Sequence, residues 1–195
     1  NCIARRPNDN DYLDYSANEQ IQKNASDVDL LSKMPTGEVP NQFFKNKGDF
    51  RFDNVSKTWS NNKASLSNGA AYADLDLDGD LDLIINNVNA SASILENRLN
   101  NFTENRNNFI QVKLIGEQGN TDCIGAKVEA KIQGKSYVAE QQTVRGFQSS
   151  SWSVLHLGLG ETDVIDSLLV YWNDGEISLL KNQTVNRMIN LDKAQ

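Results

Sequence analysis

The stretch Asp74-Leu75-Asp76-Leu77-Asp78-Gly79-Asp80-Leu81-Asp82 places five carboxylates at alternate positions within nine residues, with one glycine among them. As an extended strand it would put all five on one face, where each exposed like-charged pair costs about 1 kcal/mol at ~4 Å, and more when partly buried. Such a segment either spreads its charges into solvent or wraps them around a cation. The spacing favours the cation. Asp74, Asp76 and Asp78 fall at positions 1, 3 and 5 of a calcium loop, and Gly79 at position 6 permits the sharp turn. The backbone carbonyl of Asp80 falls at position 7 and Asp82 closes the loop at position 9, so the expected metal set is Asp74, Asp76, Asp78, Asp80 and Asp82. An EF-hand would close with a glutamate at position 12, where this chain has Ile85. Oxygen-only ligands with no His or Cys nearby favour Ca²⁺ over a transition metal, and Mg²⁺ would keep more of its waters. A purely solvated turn sits badly with the interleaved Leu75, Leu77 and Leu81.

Other reactive groupings are thin. The only histidine, His156, lies in the strand-like run Val154-Leu155-His156-Leu157, where a satisfied residue on a sheet face is expected rather than a base. There is no Gly-x-Ser-x-Gly and no phosphate-cradling glycine loop, and turn structure accounts for Ser149, Ser150 and Ser151. A metal-bound carboxylate is a poor general acid, which weakens the loop as a glycosidase pair. Glu140 and Arg145 could form a polar site, although a cross-strand ion pair or an exposed face explains them equally well. Trp59, Trp152 and Trp172 are the candidates for stacking on a sugar ring, with packing as the default for each.

The elements that must position the loop read as strands. Gly69–Ala73 leads in and Leu83–Ile85 leads out, so the site is strand–loop–strand. Upstream, 42–46 and 50–55 flank Lys47-Gly48-Asp49 as a hairpin, followed by a polar loop around Trp59 at 57–67. With a further strand at 91–97, residues 41–97 form one expected four-stranded antiparallel unit with calcium at one end. Residues 98–108, charged and Asn-rich, read as a linker. Seven strands follow: 109–116, 124–133, 135–144, 153–159, 164–172, 177–181 and 187–191, with a turn at Gln133-Gly134-Lys135. The alternation in Val128/Ala130/Ile132 and Leu168/Val170/Trp172 is that of strands half-buried in an antiparallel sandwich. Residues 1–40 are the least β-like, with Ser26 as N-cap of a short helix over 27–34 and Pro35 and Gly37 ending it.

The 195 residues suffice for one medium domain or two small ones. Asn, Asp, Gly and Ser crowd between short apolar runs, the texture of a mainly β protein. A net charge of −7 argues against nucleic acid, which needs a basic face. No apolar run approaches the ~20 residues that span a bilayer. Cys2 and Cys123 show no zinc-type spacing. The absence of an initiator methionine leads us to expect a piece of something longer.

Two resemblances join these readings. Phe44–Phe52, Asn68–Asp74 and the aspartate loop resemble the FG-GAP/VCBS repeat, one blade of a calcium-decorated β-propeller. Ile124-Gly125-Ala126, Arg145–Ser150, Leu155–Gly160 and Val170–Gly175 resemble the ASPIC/UnbV domain, which follows such repeats in cartilage acidic protein and in large exported proteins of the Bacteroidetes type. Three departures stand out: Asn173 where proline is usual, Leu77 where the loop usually has a polar residue, and Cys123 where a small residue is usual. The last hints at a Cys2–Cys123 disulfide in an exported protein, the alternative being two free thiols. The resemblance implies a propeller-type four-stranded blade at 41–97, a linker at 98–108 and an ASPIC/UnbV β-sandwich at 109–195; the residue pattern puts a helical or loop segment at 1–40 before them, with a partly disordered arm as the alternative for 1–25. It implies a non-enzymatic, calcium-stabilised scaffold or binding module, the C-terminal piece of a larger exported or cell-surface protein, with a protein or glycan partner. The alternative is an accessory or catalytic domain acting on polysaccharide.

Overall fold

The computed structural model describes residues 17–18, 38–61, 63–88, 90–102 and 107–194. The expected helix at 27–34 and Cys2 lie outside them. The described chain is mainly β and divides into two units. The first comprises the described residues up to Asn68 together with Asn86–Ser93, and the second comprises Gly69–Ile85 and the chain from Ile94 onward.

In the first unit, β1 (Phe44–Gly48) and β2 (Arg51–Asn54) pair antiparallel as the expected hairpin. Gly48, Asp49 and Phe50 all take positive φ in the turn, and Asn46 Oδ1 accepts the Gly48 N–H at 2.8 Å. Every residue of both strands is exposed, Phe44, Phe50 and Phe52 included. A four-residue helix, α1 (Ser56–Trp59), follows where a polar loop was expected; its Thr58 and Trp59 amides donate to the Val55 carbonyl at 3.0 Å.

The expected single four-stranded unit is not what forms. β1 and β2 make a sheet of their own, while β3 (Ser67–Ala73), β4 (Asp82–Asn87) and β5 (Ser93–Leu95) make a separate three-stranded one. Neither strand of the hairpin buries an apolar residue.

The second unit holds the core. β7 (Lys127–Ile132), β8 (Lys135–Glu140), β10 (Val164–Tyr171) and β11 (Ile177–Thr184) form an antiparallel sheet ordered β11-β10-β7-β8. β6 (Asn108–Ile115), β9 (Val154–Gly160) and β12 (Arg187–Asp192) form a second sheet ordered β12-β6-β9. Ile110, Val112, Leu155 and Leu157 from one sheet and Val128, Ala130, Leu168 and Val170 from the other share one buried cluster. Fully burying each large aliphatic contributes about 1.5–3 kcal/mol, so stability concentrates in this sandwich rather than in the exposed hairpin.

The sandwich is not wholly antiparallel, as the alternation had suggested. β12 runs parallel to β6, with Ile189 opposite Val112. The cause lies in the crossing between sheets: Asn186, at φ +57, accepts the Phe109 N–H at 3.1 Å through Oδ1 and donates its own N–H to the Phe109 carbonyl at 2.7 Å. The chain leaves β11 in one sheet and is delivered to the start of β6 in the other, so no tight hairpin dictates an antiparallel partner.

Candidate metal centre

β3 ends at Ala73 and β4 begins at Asp82, so the eight residues between them form the acidic loop. Inside it, Asp76 Oδ1 accepts the Asp78 N–H at 3.4 Å and Asp78 Oδ1 accepts the Asp80 N–H at 3.0 Å. These side-chain turns curl the loop so that charges meant for one strand face converge instead. Two residues adopt left-handed backbone, Leu77 at φ +63 and Gly79 at φ +93. Leu77 is 75 % exposed. A leucine there carries strain of about 1–2 kcal/mol that an asparagine would largely avoid. Gly79 is needed twice over, because a Cβ would lie 2.1 Å from Cε1 of Phe109.

Of the five expected ligands, the structure gathers three: one carboxylate oxygen each from Asp74, Asp76 and Asp78 lies within 4.8 Å of the others. Two ligands of one calcium ion, each at 2.3–2.6 Å, stand at most about 5 Å apart, so the spacing is compatible. A pattern in the hydrogen bonds sharpens this. Asp74, Asp78 and Asp80 each have one oxygen bonded and the other buried with no partner: Asp74 Oδ1, Asp78 Oδ2 and Asp80 Oδ1. Asp74 and Asp80 are only 5 % and 7 % exposed. A buried carboxylate oxygen without a donor is costly unless a cation completes it.

Asp80 and Asp82 stand outside the group of three. Asp82 accepts the Leu75 N–H at 3.0 Å on Oδ2 and the Asn97 N–H at 2.8 Å on Oδ1, clamping the loop's start to the segment after β5. Asp80 Oδ2 accepts the Asn100 N–H at 3.1 Å. Burial raises the Asp80 pKa, the Asn100 amide opposes that, and the charges of Asp78, Asp82 and Asp76 add to the rise. The protein thus stores like-charge repulsion in the loop.

Three features of this site were not foreseen. Asn97 and Asn100 belong to it: Asn100, in the short helix α2 (Leu99–Phe102), is buried and its Nδ2 donates to the Asp78 carbonyl at 3.4 Å. That part of the expected linker is therefore packed structure, because its amides satisfy the loop's carboxylates. Gln111, on the β6 face turned away from the sandwich core, is 4 % exposed and donates from Nε2 to Asp74 Oδ2 at 2.9 Å. Beside it, His156 on β9 pairs in register with Gln111 and stacks on Phe109, with ring centroids 5.4 Å apart and planes 8° from parallel. The histidine sits on a sheet face as expected, but its Nδ1 is buried with no partner. Burial lowers its pKa, and the charge of Asp74 partly opposes this.

The loop's approach strand is held from the other side. Ser149 Oγ accepts the Ala70 N–H at 3.1 Å and Ser151 Oγ accepts the Tyr72 N–H at 3.3 Å. Alternate serines thus pair with alternate amides of β3. Gly69 lets them approach, since a Cβ there would lie 2.5 Å from Ser149 Oγ.

Residues 116–195 match the family described as ASPIC and UnbV. The ASPIC/UnbV region thus holds β7 to β12 and the serine segment, and carries all four stretches on which that likeness rested. The acidic loop and β6 precede it. No curated protein matches the chain.

The remaining candidates separate cleanly. Trp172 is buried in the core and donates from Nε1 to Ser178 Oγ at 2.9 Å, which removes it from any sugar surface. Trp59 and Trp152 are exposed. Arg145 donates to the backbone carbonyl of Glu140 at 3.0 Å, so the two form no carboxylate pair. Cys123 is buried, and burial, with Asp122 adding to it, pushes its thiol up. No described helix is long and apolar enough to cross a membrane.

Proposed function

We propose that the loop from Asp74 to Asp82 holds a calcium ion, and that the protein is a non-enzymatic, calcium-stabilised scaffold or binding module of an exported or cell-surface protein, contacting a protein or glycan partner. The observation that carries this is the three half-satisfied carboxylates: Asp74, Asp78 and Asp80 each keep one buried oxygen without a donor. Asp76 is exposed, and one of its oxygens lies within 4.8 Å of a carboxylate oxygen from each of Asp74 and Asp78. Hard oxygen donors at this spacing suit Ca²⁺, whose flexible coordination tolerates mixed carboxylate, carbonyl and water ligands. The likeness of the loop to the FG-GAP/VCBS type supports the same reading. The ion's role is structural: it offsets the repulsion among the aspartates and fixes the β3–β4 connection.

At a calcium concentration ~100 times the dissociation constant the ion stabilises the fold by about 2.7 kcal/mol. For a chain of this size that is a rise of roughly 5–11 °C in melting temperature. Melting curves in calcium, in magnesium and in chelator test it, alongside Asp78→Asn. Calcium should raise the midpoint more than magnesium does, and Asp78→Asn should abolish most of the rise while matching or exceeding wild type in chelator. Equal curves in calcium and chelator, with silent titration calorimetry, sink the proposal.

A further inference from the structure

We infer that Gln111 is a positioning residue for the cation, so that the C-terminal sheet, and not the loop alone, sets the site's affinity; this rests on the calcium reading above. Gln111 lies on β6, the central strand between β12 and β9, where backbone pairing on both sides fixes it. Its buried Nε2 holds Asp74 Oδ2 at 2.9 Å and leaves Oδ1, buried and without a partner, as the oxygen for the ion. Asp74 is thereby a single-oxygen ligand with a set orientation. The chemistry of the donor matters. A lysine or arginine here would neutralise Asp74 and compete with the ion, whereas a carboxamide orients the carboxylate without discharging it.

The test uses the whole chain and calorimetric titration with CaCl₂, with melting curves in chelator. Wild type is titrated first: no heat of binding would overturn the calcium reading itself, and this inference with it. Given wild-type binding, Gln111→Met keeps the volume but removes the donor, and should weaken the dissociation constant 10–100-fold, as loss of an outer partner does at metal sites. Gln111→Lys should abolish detectable binding yet melt in chelator at or above wild type, because its ammonium substitutes for the ion beside Asp74. Lys113→Met, an exposed neighbour on the same strand, should bind as wild type. A merely structural glutamine would lower the chelator melting point in both position-111 variants and leave affinity unchanged. Weakening of less than tenfold in Gln111→Met, or calcium binding retained by Gln111→Lys, would overturn the inference.

Discussion

Gly79→Ala is the sharpest probe of how the loop is seated. Gly79 has φ +93, and a Cβ would stand 2.1, 2.4 and 2.9 Å from Cε1, Cδ1 and Cζ of Phe109. The ring is stacked on His156, so a retreat would disturb that contact as well. Two costs therefore add. Left-handed backbone with a Cβ costs about 1–2 kcal/mol, and forcing a methyl into a filled site costs about 1–3 kcal/mol. The sum, roughly 2–5 kcal/mol, is a large share of the ~5–15 kcal/mol that holds a domain together. Urea unfolding in chelator separates this from any effect on the ion. Gly79→Ala/Phe109→Ala should recover the steric part, giving a coupling of about 1–3 kcal/mol, and leave the backbone part in place. A single-variant loss below ~0.5 kcal/mol, or strict additivity in the double variant, would refute the seating of the loop on Phe109.

Three further outcomes follow from the same geometry. Ser149→Ala and Ser151→Ala should each cost about 1 kcal/mol, and hydrogen exchange should quicken at Ala70 and Tyr72 specifically; unchanged exchange there would mean that the serines do not hold β3. Leu77→Asn should stabilise the protein by about 0.5–1 kcal/mol in a thermal melt, because the side chain is exposed and asparagine tolerates positive φ. For His156 the sign is set by a folded pKa below the ordinary ~6.5. Its contribution is fully present above ~6.5, where both states are neutral, and is lost as pH falls through the folded value, since the unfolded chain takes up the proton first. Urea unfolding in chelator between pH 7.5 and 5.5 should therefore show stability falling with acid, and His156→Phe, which keeps the stack on Phe109, should flatten that slope.

Where local pattern alone decides structure, the residues could be read directly. Val128/Ala130/Ile132 and Leu168/Val170 alternate because one face of each strand meets the core, and the core is where they lie. The Gln133-Gly134 turn carries φ of +47 and +78, as a two-residue hairpin connection requires, with Ile132 opposite Lys135. The hairpin at 44–54 was legible for the same reason, yet its sheet partner was not. Alternation says which residues share a face, and Phe44 and Phe52 mark a face that the chain leaves exposed. Strand direction was equally hidden in β12: Ile189 and Leu191 alternate the same way whether their neighbour runs parallel or antiparallel.

The acidic loop shows the limit most clearly. Its aspartates announce themselves by spacing, because carboxylates close in space are here close in sequence. The groups that orient them are not. Gln111 occupies the outward register of β6 between Phe109 and Lys113, a position where a glutamine ordinarily means solvent. Asn97 and Asn100 are two of many asparagines, and they act largely through backbone amides, which every residue owns. What distinguishes Asp82 from Asp74 is likewise invisible in the sequence: both of Asp82's oxygens accept main-chain N–H groups, while Asp74 keeps one bare. The half-bare carboxylate and the clamp are the same residue type, and only the placement of neighbouring donors divides them. The division has a consequence for mutagenesis. Asp82→Asn should weaken the loop in chelator as well as in calcium, because a carboxamide keeps one acceptor oxygen and sets an NH2 group against the second main-chain N–H, so one of the bonds to the Leu75 and Asn97 amides is lost in both conditions. Asp78→Asn should weaken it only in calcium. If the two variants behave alike in chelator, Asp82 is no clamp.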